Sequence, residues 1–108
     1  MKLVNIDYIP GYEITDALGV VKGQVVQSKN IGRDLMAGMK TIVGGEISGY
    51  TEMIATARQI ATKRMVDEAT NLGADAVINI RYGSSAVMNG AAEIIAYGTA
   101  VKLKEIKK

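Results

Sequence analysis

Between Asn30 and Tyr50 the chain reads NIGRDLMAGMKTIVGGEISGY, which packs a charged pair, two methionines and a double glycine into one stretch. Gly44, Gly45 and Gly49 precede a predicted helix N-terminus, where backbone N–H groups and the helix dipole attract an anion. A phosphate-binding loop also needs a Lys followed by Ser or Thr at fixed spacing. Here Glu46 follows the double glycine, and its carboxylate repels an anion. The spacing favours a helix cap and tight corner over a phosphate cradle. Arg33 and Asp34 fall in the first turn of a predicted helix capped by Asn30. Asp34 suits that position by charge, and Arg33 can grip a carboxylate bidentately, within the subunit or across to a neighbour. With Tyr50 and Glu52, the candidates for ligand or subunit contact are Asn30, Arg33, Asp34, Gly44, Gly45, Glu46, Tyr50 and Glu52.

Composition narrows the chemistry. There is no Cys and no His, which removes thiolate nucleophiles, thiolate metal sites and the usual base near neutral pH. Soft metals are left with thioethers, but Met36, Met39, Met53, Met65 and Met88 read as core filler. Asp16, Glu46 and Glu52 offer oxygens to a hard cation across subunits, yet their spacing does not single them out. Tyr50, Tyr82 and Tyr97 lie on predicted apolar faces and read as core. Ser84-Ser85 has no evident base. No nucleophile, base and orienting group can be assembled, so no catalytic residue, metal ligand or cofactor is assigned. Arg58, Lys63 and Arg64 alternate with Glu52, Asp67 and Glu68, the pattern of a solvated helix face rather than a nucleic-acid platform. The net charge is +2. Every apolar run is interrupted well short of the ~20 residues a membrane helix needs, and no secretory signal opens the chain. The expected location is the cytoplasm.

The elements around these residues belong to one unit. At 108 residues, without linker or repeat, the chain fits a single domain with a strand and turn over 1–11 and a basic tail over 104–108. Residues 12–28, rich in Val and Ile, predict a long strand, or two, bent or bulged at Gly19 and Gly23. A helix is expected from Asn30 to Val43, stopped by Gly44-Gly45. A longer one follows, capped by Ser48, with Glu52 in its first turn and a stripe of Tyr50, Met53, Ile54, Ala57, Ile60, Ala61, Met65, Ala69 and Leu72. ADAVINIRY predicts a strand with Ala76, Ile78, Ile80 and Tyr82 on one side. Gly83 to Gly90 reads as a loop. The last strand sets Ile95, Tyr97, Thr99, Val101 and Leu103 on one face, and Ala96, Gly98 and Ala100 on the other, where a helix can lie close. The fold class is α+β, a long helix on a small antiparallel sheet. The long final strand leaves an open edge, which pairing with another copy would cover.

The segments GVVKGQVV, NIGRDLMAGMKTIVGG, SGYTEMIATARQIA, LGADAVINI and GTAVKL, in that order, resemble the YbjQ-like family, also called UPF0145 or DUF74. Asn30-Ile31, Arg33-Asp34, Ala37, Gly44-Gly45 and Tyr50 carry the most specific part of the likeness. The resemblance implies a dodecin-like β-α-β-β subunit that assembles with itself into a ring, a pentamer in known members. The family often carries a heavy-metal-binding label, which these residues do not support. Gln24 stands where the family usually has an acid, and Glu46 where it usually has Arg. The role implied is a binding or scaffolding assembly with any ligand between subunits. The alternatives are a metal-ion-binding protein, or an enzyme whose intersubunit site uses Arg33, Asp34, Tyr50 and Glu52.

Overall fold

The computed structural model describes residues 1–28, 42–43 and 46–107, with side chains described for 1–28 and 51–107. Along the chain run β1 (Lys2–Leu3), β2 (Tyr12–Ser28), β3 (Ile42–Val43), β4 (Glu46–Ile47), α1 (Ser48–Asn71), β5 (Ala76–Met88) and β6 (Ala91–Glu105). Four strands form one sheet in the order β1-β5-β6-β2, and β3 and β4 form a separate two-stranded ladder.

The small residues of β6 dictate how the helix packs. Ala96 and Ala100 are fully buried and meet Ala57, Ala61, Met65 and Ala69 of α1 in one cluster with Val21, Val25, Val77, Ile80 and Ile94. Small side chains on both surfaces let the helix axis approach the sheet, and the expected stripe from Met53 to Ala69 is the one that packs on it. Leu72, placed at its end, lies beyond the helix and is exposed. Each fully buried Val or Met contributes about 1.5–3 kcal/mol by leaving water. Gly23 is the point of closest approach: a Cβ there would run into the backbone of Ala61 and Met65 and lie 2.8 Å from Arg64 Cβ. The bulge expected at the glycines occurs at Gly19, whose φ is +126°. Gly23 instead makes room for the helix.

The opposite face of the sheet has its own small core. Ile9, Ala76, Ile78 and Val101 are buried there, with Val4, Tyr12, Ile14 and Leu103 packed against them. The N-terminal segment is stitched down by Val4 N–H to Val77 O (3.1 Å), Ile80 N–H to Val4 O (3.1 Å) and Asn79 N–H to Ile6 O (2.9 Å).

Several expectations are corrected. The sheet is mixed rather than antiparallel, because β1 runs parallel to β5, Lys2 opposite Ala76 and Leu3 opposite Val77. The last strand is central, between β5 and β2, so the long open edge belongs to β2. Gly83 to Gly90 is not a loop: β5 continues to Met88 and turns through Asn89-Gly90, with Met88 opposite Ala91. Asn-Gly is the strongest short hairpin signal, and Gly90 has the positive φ it requires. Asn79 sits at φ +54° in a bulge, which reverses the alternation of β5. Ile78 faces the N-terminal segment, while Ile80 faces the helix. Ile42 and Val43 are strand, paired with Ile47 and Glu46, rather than the end of a helix. The rest of that expected helix, residues 30–41, lies outside the described residues. The first turn of α1 carries no acid, because Glu52 falls one position past it.

Candidate interaction site

The structure draws attention to the outer edge of β5 and to the outer edge of β2. β1 covers β5 only at Ala76 and Val77. Beyond Ile80, where the bonds to the N-terminal segment end, β5 is paired with β6 alone among the described residues. Tyr82 stands at the start of that open edge, between two grooves, and is 47% exposed.

The first groove, about 720 Å³, lies between the N-terminal segment and β5, with Leu3, Ile6, Arg81 and Tyr82 in its lining. Arg81 Nη1 donates to Asn5 O at 2.9 Å and to Ile80 O at 3.0 Å, so the guanidinium fastens the groove wall while keeping its charge at the surface. The second groove, about 490 Å³, lies between α1 and β5, bounded by Arg58, Gln59, Thr62, Lys63 and Tyr82. Thr62 Oγ1 donates to Arg58 O at 2.8 Å, which uses its one proton. The 2.9 Å contact between Thr62 and Tyr82 is therefore donated by the Tyr82 hydroxyl. Arg58 and Arg81 thus line the two grooves on either side of Tyr82, together with Lys63, which is paired with Asp67. Tyr82 and Tyr97, expected in the core, are both exposed, Tyr97 by 41%. The bulge at Asn79 carries Tyr82 to the helix side at the edge of the sheet, and Tyr97 lies on the reverse face outside the cluster formed there by Ile9, Ala76, Ile78 and Val101.

At the other edge, the helix reaches over β2. Lys22 N–H donates to Glu68 Oε1 at 3.3 Å, and Arg64 Nη1 donates to Gln24 O. Residues 22 and 24 both turn their backbone groups away from β6, and an i,i+4 pair on α1 caps one donor and one acceptor. Sequence reading took these charges for a solvated face. All four are exposed; Lys63 and Asp67 form a 3.0 Å surface pair, while Arg64 and Glu68 also reach the backbone of β2. The missed signal was Gly23: a glycine inside a strand marks a close backbone approach, and the helix residues flanking that approach can reach past the strand.

Of the candidates read from sequence, Asn30, Arg33, Asp34, Gly44 and Gly45 lie outside the described residues. Glu46 is described as backbone in β4 and Tyr50 as backbone in α1. Glu52 is exposed on α1, and Asp16 is exposed on β2. Among the described residues no three of His, Cys, Asp and Glu come together as a metal site. Met53 and Met65 are core residues, 6% and 0% exposed, while Met88 is 66% exposed. Asp75, in the turn after α1, has its carboxyl held below the ordinary range. The main cause is the Leu103 N–H donated to Oδ2 at 2.8 Å, helped by Lys102 and opposed by burial. Its partners mark it as a fastener of β6 to the helix turn. Among the described residues, no helix is long and apolar enough to cross a membrane.

The YbjQ family model, described as "Putative heavy-metal-binding", matches residues 1–104. The chain belongs to the YbjQ-like, UPF0145 family. Relatives in that family include a UPF0145 protein of Fervidobacterium nodosum, 56% identical over all of both chains. One of Thermotoga maritima is 58% identical over 98% of this chain and all of its own. One of Vibrio campbellii is 65% identical over 88% of this chain and 91% of its own. A crystal structure of a DUF74-family protein of unknown function from Pediococcus pentosaceus shares the fold, with a TM-score of 0.66 at 18% identity over 96% of this chain and 98% of that one.

Proposed function

We propose that the protein works as a non-enzymatic homo-oligomer, a small ring that binds or scaffolds, with its ligand sites between subunits. The observation that carries this reading is the exposed apolar side chains among the described residues. On the reverse face of β2 Val20 is 72% exposed and Val26 59%, with Lys22, opposite Tyr97, and Gln24 between them, and Met88 is 66% exposed at the hairpin tip. Large apolar side chains exposed to this degree on a small domain are candidates for cover by another chain. A cyclic assembly would repeat Arg58 and Arg81 around an axis, so a modest pair of cations in one chain becomes a repeated set.

Native mass spectrometry of the protein as purified, without added metal or chelator, tests this. A single closed multiple of the 11.5 kDa chain supports the reading. A monomer overturns it. A ring carrying stoichiometric extra mass identifies the ligand class. Metal binding, the property in the family model's description, is the second reading. It requires that metal survive dialysis and appear in the same spectrum in fixed ratio to the chain.

A further inference from the structure

We propose that the groove between the N-terminal segment and β5 binds a small organic monocarboxylate with a compact apolar body, its carboxylate held by Arg81. All the residues involved come from one chain, so the proposal goes beyond the homo-oligomer reading and does not depend on it.

The donor geometry of Arg81 points to this ligand. Nη1 donates to Asn5 O at 2.9 Å and to Ile80 O at 3.0 Å, which uses both of its protons. One carbonyl belongs to the N-terminal segment and the other to β5, so the guanidinium is held between the two walls rather than swinging on its stem. Three N–H groups remain, one on Nε and two on Nη2, and none meets an acceptor among the described residues. Nε–H and one Nη2–H lie parallel in the guanidinium plane, the pair that grips both oxygens of a carboxylate. A guanidinium already fixed by its other nitrogen loses little further freedom when it binds.

The rest of the lining suits an apolar body. The groove has a volume of about 720 Å³, within the range of small-molecule sites. Leu3 and Ile6 line it and are 40% and 41% exposed, apolar surface that the fold leaves wet. Tyr82 adds an aromatic wall, and its ring is pinned by the 2.9 Å bond from its hydroxyl to Thr62. Among the described residues Arg81 is the only charged one in the lining. Lys2, next to Leu3 in sequence, is turned onto the Tyr12 ring, 5.1 Å from its centroid. One fixed cation with no acid beside it matches a single negative charge, whereas a phosphate dianion would be left half neutralised.

Phenylacetate is the probe, titrated into isotope-labelled protein and followed by backbone amide NMR shifts. Acetate, the charge without the body, phenylacetamide, the body without the charge, and inorganic phosphate are the controls. The expected result is saturable shifts clustered at Leu3, Asn5, Ile6, Arg81 and Tyr82. Each control should bind about tenfold more weakly or worse, the scale of one charge-assisted hydrogen bond or one buried apolar group. Arg81→Lys keeps the charge but not the parallel donors, and a similar loss is expected. That change also releases Asn5 O, so Ile6→Glu is made beside it. Its exposed side chain sets a rival carboxylate in the groove while Arg81 keeps both backbone bonds, and binding should vanish. The amide spectrum of each variant checks its fold. No saturable shift with phenylacetate overturns the proposal, as do shifts clustered away from the groove. Equal binding of phenylacetamide or phosphate overturns the carboxylate assignment, and undiminished binding to Ile6→Glu overturns the site. A monomer in the native mass spectrum would sink the homo-oligomer reading and leave this one standing.

Discussion

Gly23 of β2 lies directly beneath Met65 of α1, close enough that a single added methyl would collide with the helix backbone. The near neighbours are backbone atoms of Ala61 and Met65, which cannot swing aside as a side-chain end would. Gly23→Ala must therefore lift the helix from the sheet. The expected loss is about 1–3 kcal/mol, the usual scale for overpacking a tight contact. A urea titration reads it as a lower midpoint at unchanged slope. An unchanged midpoint would mean the helix is not seated as described.

Asn79 carries a left-handed backbone, φ +54°, within β5. Asn tolerates that region, and Gly adopts it freely, whereas a β-branched residue is an outlier there. Asn79→Val is expected to destabilise by about 1–3 kcal/mol, and Asn79→Gly by much less. Thermal melts of the two variants side by side decide the matter. Equal effects would place the cost in a lost side-chain contact rather than in the bulge.

Asp75 predicts a pH dependence of fixed sign. Its folded carboxyl titrates below the ordinary range because Leu103 N–H and Lys102 favour the charged form. In the acid window the unfolded chain therefore binds more protons than the folded one, and stability rises with pH there. The contribution is complete above the ordinary carboxylate value and disappears as pH falls through the folded one. Asp75→Asn should be less stable than the parent at neutral pH, with the difference shrinking on acidification. Denaturation midpoints at several pH values would show this, and a difference that grows toward acid would contradict it.

Arg64 and Glu68 cover an exposed strand edge, so their removal should alter self-association more than stability. Each hydrogen bond is worth about 0.5–1.5 kcal/mol at most, and both are solvent-exposed. Replacing both residues with Ala frees Lys22 N–H and Gln24 O for a new strand. Light scattering at rising concentration is expected to show larger and less uniform species than the parent forms. A monodisperse double variant would deny the pair any guarding role.

Much of the fold was legible because it follows from simple periodicities. Ala96, Gly98 and Ala100 alternate with larger residues, and that spacing leaves room for a helix on one face of β6. The stripe from Met53 to Ala69 likewise named the buried face of α1. What escaped were local departures from period. A single left-handed asparagine reversed the faces of β5, and nothing in VINIRY distinguishes a bulge from an ordinary polar position. The serines of β5 looked like loop because an exposed hairpin strand need not be apolar. The covering of β2 was hidden for another reason. Arg64 and Glu68 look the same in sequence as Lys63 and Asp67, and only the crossing at Gly23 turns one pair toward the strand. The candidates from Asn30 to Gly45 were singled out by residue type, and the described structure neither gathers nor separates them.

The pairing of Tyr12 with Glu105 joins the two ends of the chain across one ladder. The hairpin from β5 to β6 closes over two residues and can form as soon as it is synthesised. β2 has no such option, since its neighbour in the sheet is the last strand made. Until the ribosome has released residue 105, an apolar ribbon containing Val20, Val21, Val25 and Val26 must wait without its partner. Loop closure over such a distance is slow and leaves strands exposed meanwhile. Nascent chains stalled before β6 should therefore be the form of this protein most dependent on chaperones.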